Sequence, residues 1–160
     1  MNRAWIAAPT LALLVAFAGC GSGGSGSGSA SPPAAQGGVA GSKYDAGPRA
    51  AATPANAELA EHGKELFSTK GCTACHALGK RLTGPDLAGV SQRRTAVWIE
   101  HQILHPDVMT KEDPISHELL AKFALQMPNQ GLTPDEAKAV IEYFKQHDQG
   151  SGDPAGPDDK

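Results

Sequence analysis

Residues 72–76 read Cys-Thr-Ala-Cys-His. Two cysteines three positions apart, with a histidine directly after them, form the signature for covalent attachment of a c-type haem. Each thiol can bond one vinyl group of the porphyrin, and the adjoining imidazole of His76 is carried onto the iron as an axial ligand. This constrains the fold more than any other feature, because the rest of the chain must then wrap one large, flat, apolar group. Two other readings of the cysteine pair make demands the chain does not meet. A redox dithiol belongs in a strand–helix–strand setting, and a zinc site needs a second ligand pair at close spacing, which neither His117 nor His147 supplies.

The chain has 160 residues, with 19 glycines and 12 prolines gathered mainly at its two ends. The middle, residues 56–149, is one small domain with little apolar material for a core, so a buried cofactor would supply what the side chains lack. A formal net charge of −3 leaves no basic footprint and no reason to place nucleic acid among the partners.

Within 56–149 the periodicities are helical. Asn56 caps a first helix over 57–69, with Leu59, Gly63, Leu66 and Phe67 on one stripe. A glycine on the buried side of a helix costs roughly 1 kcal/mol in propensity, which points to a second helix approaching closely there. After the haem-binding pentapeptide, residues 79–89 form a turn-rich loop containing Thr83-Gly84-Pro85-Asp86-Leu87. A helix over 95–105 follows, with Ala96, Ile99 and Ile103 inward and Pro106 as its stop. A shorter helix spans 117–124 with Leu119, Leu120 and Phe123, and Met127-Pro128-Asn129 is an extended break. Thr133-Pro134-Asp135-Glu136 is a capping box that opens the last helix, on which Ala137, Val140, Ile141 and Phe144 repeat at helical spacing. No alternating run of β-branched residues occurs, so the domain is predicted to be all-α.

The ends read as an address and a leash. A cationic start and the apolar run 4–19, interrupted by Pro9, form a secretory signal shorter than the ~20 residues of a membrane span. Phe17-Ala18-Gly19-Cys20 resembles a bacterial lipoprotein lipobox, which implies signal cleavage before Cys20 and a lipid on that cysteine. Phe17 stands where leucine is usual, and Ala16-Phe17-Ala18 also fits ordinary cleavage after Ala18, which would leave a soluble periplasmic protein. Residues 20–55 read as a flexible Gly/Ser/Ala/Pro linker with a reach of about 30 Å, and 150–160 as a disordered tail.

In order, these parts resemble the class I mono-haem cytochrome c family over residues 56–149. The resemblance rests on Gly63 and Phe67, then Cys72-x-x-Cys75-His76, Gly84-Pro85-x-Leu87, Met127-Pro128 and Tyr143 on the last helix. It implies a small helical fold around one haem c, with the first and last helices crossing. It implies His76 as proximal ligand, Met127 as distal ligand, the Pro85 carbonyl as acceptor from the His76 ring N–H, and Leu87 against the haem face. Trp98, with Arg94 beside it, occupies a stretch where relatives hydrogen-bond a haem propionate, although a tryptophan is also ordinary core. The competing methionine, Met109, lies in a polar stretch with no predicted helix to brace it. His117 and His105 remain alternatives for the distal position, and His62, His101 and His147 read as exposed helix histidines.

The function implied is a membrane-tethered one-electron carrier, not an enzyme, exchanging electrons with redox proteins or membrane respiratory complexes in the periplasm or at the cell surface. The alternatives are a haem enzyme or a sensor of gases or peroxide with an open distal site, and a fixed subunit of an oxidase or reductase.

Overall fold

The computed structural model describes residues 41–151. The signal segment, Cys20, the first half of the expected linker and the tail beyond Ser151 lie outside them. Six helices make up the described domain, which contains no strand: α1 (Ala57–Thr69), α2 (Val90–Arg93), α3 (Ala96–Leu104), α4 (Pro106–Glu112), α5 (Pro114–Phe123) and α6 (Pro134–Ser151).

The crossing of α1 and α6 is the foundation. The Asn56 side chain accepts from the Leu59 N–H at 3.0 Å, satisfying one free donor of the first turn of α1. At the start of α6, the Thr133 N–H donates to Glu136 at 2.8 Å and the Glu136 N–H donates to Thr133 Oγ1 at 3.2 Å, completing the capping box. The two helices meet at Gly63, where a Cβ would lie 1.9 Å from the carbonyl oxygen of Ala139. Phe67 closes one side of the crossing with its ring centroid 5.7 Å from Tyr143 and 5.8 Å from Phe144. The α6 stripe of Ala137, Val140, Ile141 and Phe144 is buried as its spacing requires. On α1 the buried row is Ala60, Gly63, Leu66 and Phe67, while Leu59 is 42% exposed. The closest approach is at Gly63, so the residue three before it faces α6.

Three parts of the chain depart from the sequence reading. The domain begins well before residue 56. Asp45 is buried, and its carboxylate accepts from the Thr95 N–H at 2.8 Å and pairs with Arg49 at 2.8 Å and Arg94 at 3.4 Å. Tyr44 stacks on His101 at 4.3 Å, Ser42 donates to the buried Asp113, and the Ala50 N–H donates to the Arg94 carbonyl at 2.9 Å. The flexible linker therefore cannot extend to residue 55, because 42–50 is a strap bonded to α3 and to the α4–α5 junction. Pro106 stops α3 but also occupies the first turn of α4, where its missing N–H costs nothing. Met109 accordingly lies in a helix and is almost fully buried. The helix predicted from residue 117 starts at Pro114, where Asp113 accepts from the Ile115 and Ser116 N–H groups at 3.1 and 3.0 Å.

Smaller corrections concern faces and ends. On α3 the buried side carries Trp98, Ile99 and Ile103, while Ala96 and Val97 are exposed. Helix α6 continues to Ser151, past the boundary expected at residue 149. His101 and His147 are half-buried, the latter with Nδ1 3.2 Å from the Asp148 carboxylate.

Candidate functional site

Helix α1 ends at Thr69, and Gly71 just beyond it, with a φ of 79°, turns the chain into a short 3₁₀ segment, Cys72–Ala74. The His76 N–H donates to the Cys72 carbonyl at 2.9 Å, so both cysteines and the histidine come off one tight turn. Loop 77–89 is then tied back on itself. Asp86 accepts from the Gly79 and Ala88 N–H groups at 2.8 and 2.9 Å, and the Gly84 N–H donates to the Cys75 carbonyl at 2.9 Å. This places the Pro85 carbonyl 3.0 Å from His76 Nδ1, which donates to it and leaves Nε2 as the ring nitrogen free to bind a metal. At Gly84 a Cβ would sit 2.6 Å from His76 Cε1, so the glycine makes room for the ring. Burial lowers the His76 pKa despite that hydrogen bond, which keeps the imidazole in the neutral, ligating form.

These residues open onto a cleft in two connected lobes. The outer lobe, open to solvent, is bordered by Cys72, Cys75, His76, Pro85, Met127 and the apolar face of α5. The inner lobe runs between Leu87, Trp98, Ile103 and Phe144, and shares Cys72, His76 and Met127 with the outer one. The two thiols and His76 face walls that are otherwise mostly apolar, which suits a large, flat organic cofactor. The lining also accounts for α5, whose Leu119, Leu120 and Phe123 are only half-buried because they face the cleft and not another helix.

The donor set fits a covalently bound haem. Cys72 and Cys75 are free thiols at the wall, and burial pushes the Cys72 thiol up, away from the reactive thiolate of a redox centre. Among the described residues no group of three or more His, Cys, Asp or Glu side chains could hold a metal ion, which deprives the zinc alternative of its second pair. Met127 also lies on the cleft, in a segment pinned at both ends. The Asn129 side chain donates to the Leu104 carbonyl at 2.7 Å, and Thr110 donates to Gln126 at 2.9 Å. Of the six histidines only His76 lines the cleft. His117 is exposed, with Nδ1 3.1 Å from the Thr110 carbonyl, and His105 is exposed at the α3–α4 junction. Met109 is likewise absent from the lining.

Leu87 lies on the inner lobe, where packing against a haem face is possible. The propionate role of Trp98 needs correcting. Its indole N–H donates to the buried Asp113 carboxylate at 3.0 Å, so the side chain contributes an apolar wall and has no N–H left for a carboxylate of a ligand. Arg94, the other candidate, pairs with Asp45. Gln102, Thr110 and Ser116, polar residues on the outer lobe, carry no signal in the sequence that would mark them as site residues.

The family model described as cytochrome c matches residues 60–148, more than half of the chain. A 33-residue stretch is 48% identical to cytochrome c-551 of Azotobacter vinelandii, covering 21% of this chain and 40% of that protein. Cytochrome c2 iso-2 of Magnetospirillum molischianum is 33% identical over 85 residues, covering 46% of this chain and 88% of the relative. Among solved structures, cytochrome c from Rhodothermus marinus superposes with a TM-score of 0.57 at 36% identity, over 59% of this chain and 80% of that one.

Proposed function

The chain belongs to the cytochrome c family, with one haem c bonded through Cys72 and Cys75; we propose that it is a one-electron carrier, tethered by a lipid on Cys20 and working outside the cytoplasm. The single observation that carries the reading is that His76 and Met127 border the same cleft while every other histidine lies off it. With His76 and Met127 both holding the iron, no open coordination site would remain for a substrate. A thioether ligand in an apolar pocket favours the ferrous state and raises the potential.

When bound, the haem supplies a one-electron couple between ferric and ferrous iron. The chain's own residues do the rest. Pro85 holds the His76 ring in one tautomer and one orientation through Nδ1. The pinned segment 126–129 carries Met127 on the cleft, and Leu119, Leu120 and Phe123 give the outer lobe an apolar wall. The outer lobe's open side, where Leu125 is 48% exposed, offers a small docking face for redox proteins, with a transient interface below ~1,200 Å². No helix among the described residues is long and apolar enough to cross a membrane. Attachment in this reading therefore rests on the Phe17-Ala18-Gly19-Cys20 motif.

Fractionation of cells making the full chain, followed by optical redox titration, tests both parts. The c-type spectrum should sediment with membranes, resist high-salt washing, leave with detergent and titrate as one single-electron transition. Recovery in the salt-washed soluble fraction would remove the tether, and a spectrum insensitive to potential would remove the carrier.

A further inference from the structure

The polar residues Gln102 and Ser116 stand out in a cleft whose other walls are mostly apolar. Gln102 Nε2 lies 3.9 Å from Met127 Sδ, within reach of a weak N–H···S contact given the large radius of sulfur. Its Oε1 lies 2.6 Å from Ser116 Oγ, and Ser116 is almost fully buried on α5. The serine is itself fixed, because its backbone N–H donates to the α5-capping carboxylate of Asp113 at 3.0 Å. We propose that Ser116 and Gln102 form a two-residue relay that turns a carboxamide N–H toward the thioether of Met127, making Gln102 a positioning residue that raises the haem potential.

The orientation follows from the alternatives open to the amide. With its oxygen facing Ser116, Gln102 accepts a hydrogen bond from the hydroxyl and directs its NH₂ at the sulfur. The flipped amide would set a carbonyl oxygen against the sulfur lone pairs. An N–H dipole aimed at the thioether draws electron density from the sulfur and places its positive end toward the iron. Both effects disfavour the more positive ferric state. Because Gln102 comes from α3 and Ser116 from α5, the relay also joins the two helices beside the Met127 segment.

The inference rests on Met127 being the distal ligand, and the test separates the two. In the full-length, haem-loaded protein, Gln102→Leu removes the dipole at similar volume, and Ser116→Ala removes only the hydroxyl that orients it. Each is compared by redox titration and by the weak long-wavelength absorption of a sulfur–iron bond in the oxidised protein. The expected result is retention of that band in both variants. At fixed ambient potential the ferrous-to-ferric ratio should fall about three- to tenfold in Gln102→Leu, a lowering of ~30–60 mV at 59 mV per decade. Ser116→Ala should give a smaller fall, and no further fall in the Gln102→Leu background, since it acts only through the amide. Unchanged potentials with the band present would overturn the relay and leave Met127 as ligand. So would an equal effect of Ser116→Ala in both backgrounds, which would mark a merely structural serine. Absence of the band from the unsubstituted protein would reject Met127 itself, and the relay with it.

Discussion

Replacing Met127 by alanine should leave the haem attached but lower its reduction potential by on the order of 0.2 V, a fraction of the ~0.8 V over which axial ligands set haem potentials. The covalent bonds run through Cys72 and Cys75, on the turn after α1, and Pro85 fixes the His76 ring from the same side. None of these contacts involves residues 126–129, so attachment and proximal ligation should survive the change. What disappears is the thioether, and with it the long-wavelength sulfur–iron absorption of the oxidised protein. A vacated position beside Gln102 would then admit water or a small external ligand. Redox titration of the variant against the parent checks the shift, and an unchanged potential and spectrum would reject Met127 as the ligand.

Gly63→Ala should destabilise the protein by at least ~3 kcal/mol, at or above the upper end of the usual range for overpacking. Two effects compete here. Helix propensity alone predicts a gain of roughly 1 kcal/mol from replacing a mid-helix glycine by alanine. The new Cβ, however, would lie 1.9 Å from the Ala139 carbonyl oxygen, 2.4 Å from the Ala139 carbonyl carbon and 2.9 Å from the Val140 nitrogen. These are backbone atoms, with no rotamer to move, so α1 and α6 must separate along the whole crossing. That separation loosens Phe67 from Tyr143 and Phe144 as well. In a domain of this size each kcal/mol moves Tm by about 4–8 °C, so a fall of 12 °C or more is expected in thermal unfolding of the haem-loaded protein. A rise in Tm would mean that propensity wins and that the crossing is looser than described.

The residues most legible in the sequence are those whose partners lie close by in the chain. Cys72, Cys75 and His76 sit within one turn, and the Thr133–Glu136 capping box is complete within four residues. Gly63 could be read across a longer distance because a glycine on an apolar stripe leaves few explanations except close approach. The parts that escaped depend on partners far away in sequence. Helix α2 is started by Asp148 of α6, which accepts from the Gly89 N–H at 2.7 Å and from the Ser91 N–H and hydroxyl at 3.0 and 2.6 Å. No residue next to α2 announces it.

The strap 42–50 was hidden in the same way. It has no helical or strand periodicity, and the buried or ring partners of Tyr44, Asp45 and Arg49 lie on α3 and around it. Trp98 shows how a shared position can mislead, since the tryptophan lies on the cleft wall while Asp113, fifteen residues on, has taken its N–H. Gln102 and Ser116 belong to two different helices, and only the fold brings them to Met127.

The central claim is that the iron has a protein ligand on both faces, and carbon monoxide tests it most directly. The mature protein, reduced with dithionite and exposed to carbon monoxide at neutral pH, should keep its ferrous spectrum unchanged over minutes, because Met127 holds the position the gas would need. Rapid conversion to a stable carbon monoxide adduct would contradict the account, leaving an open or readily vacated distal site and a protein built to bind small molecules.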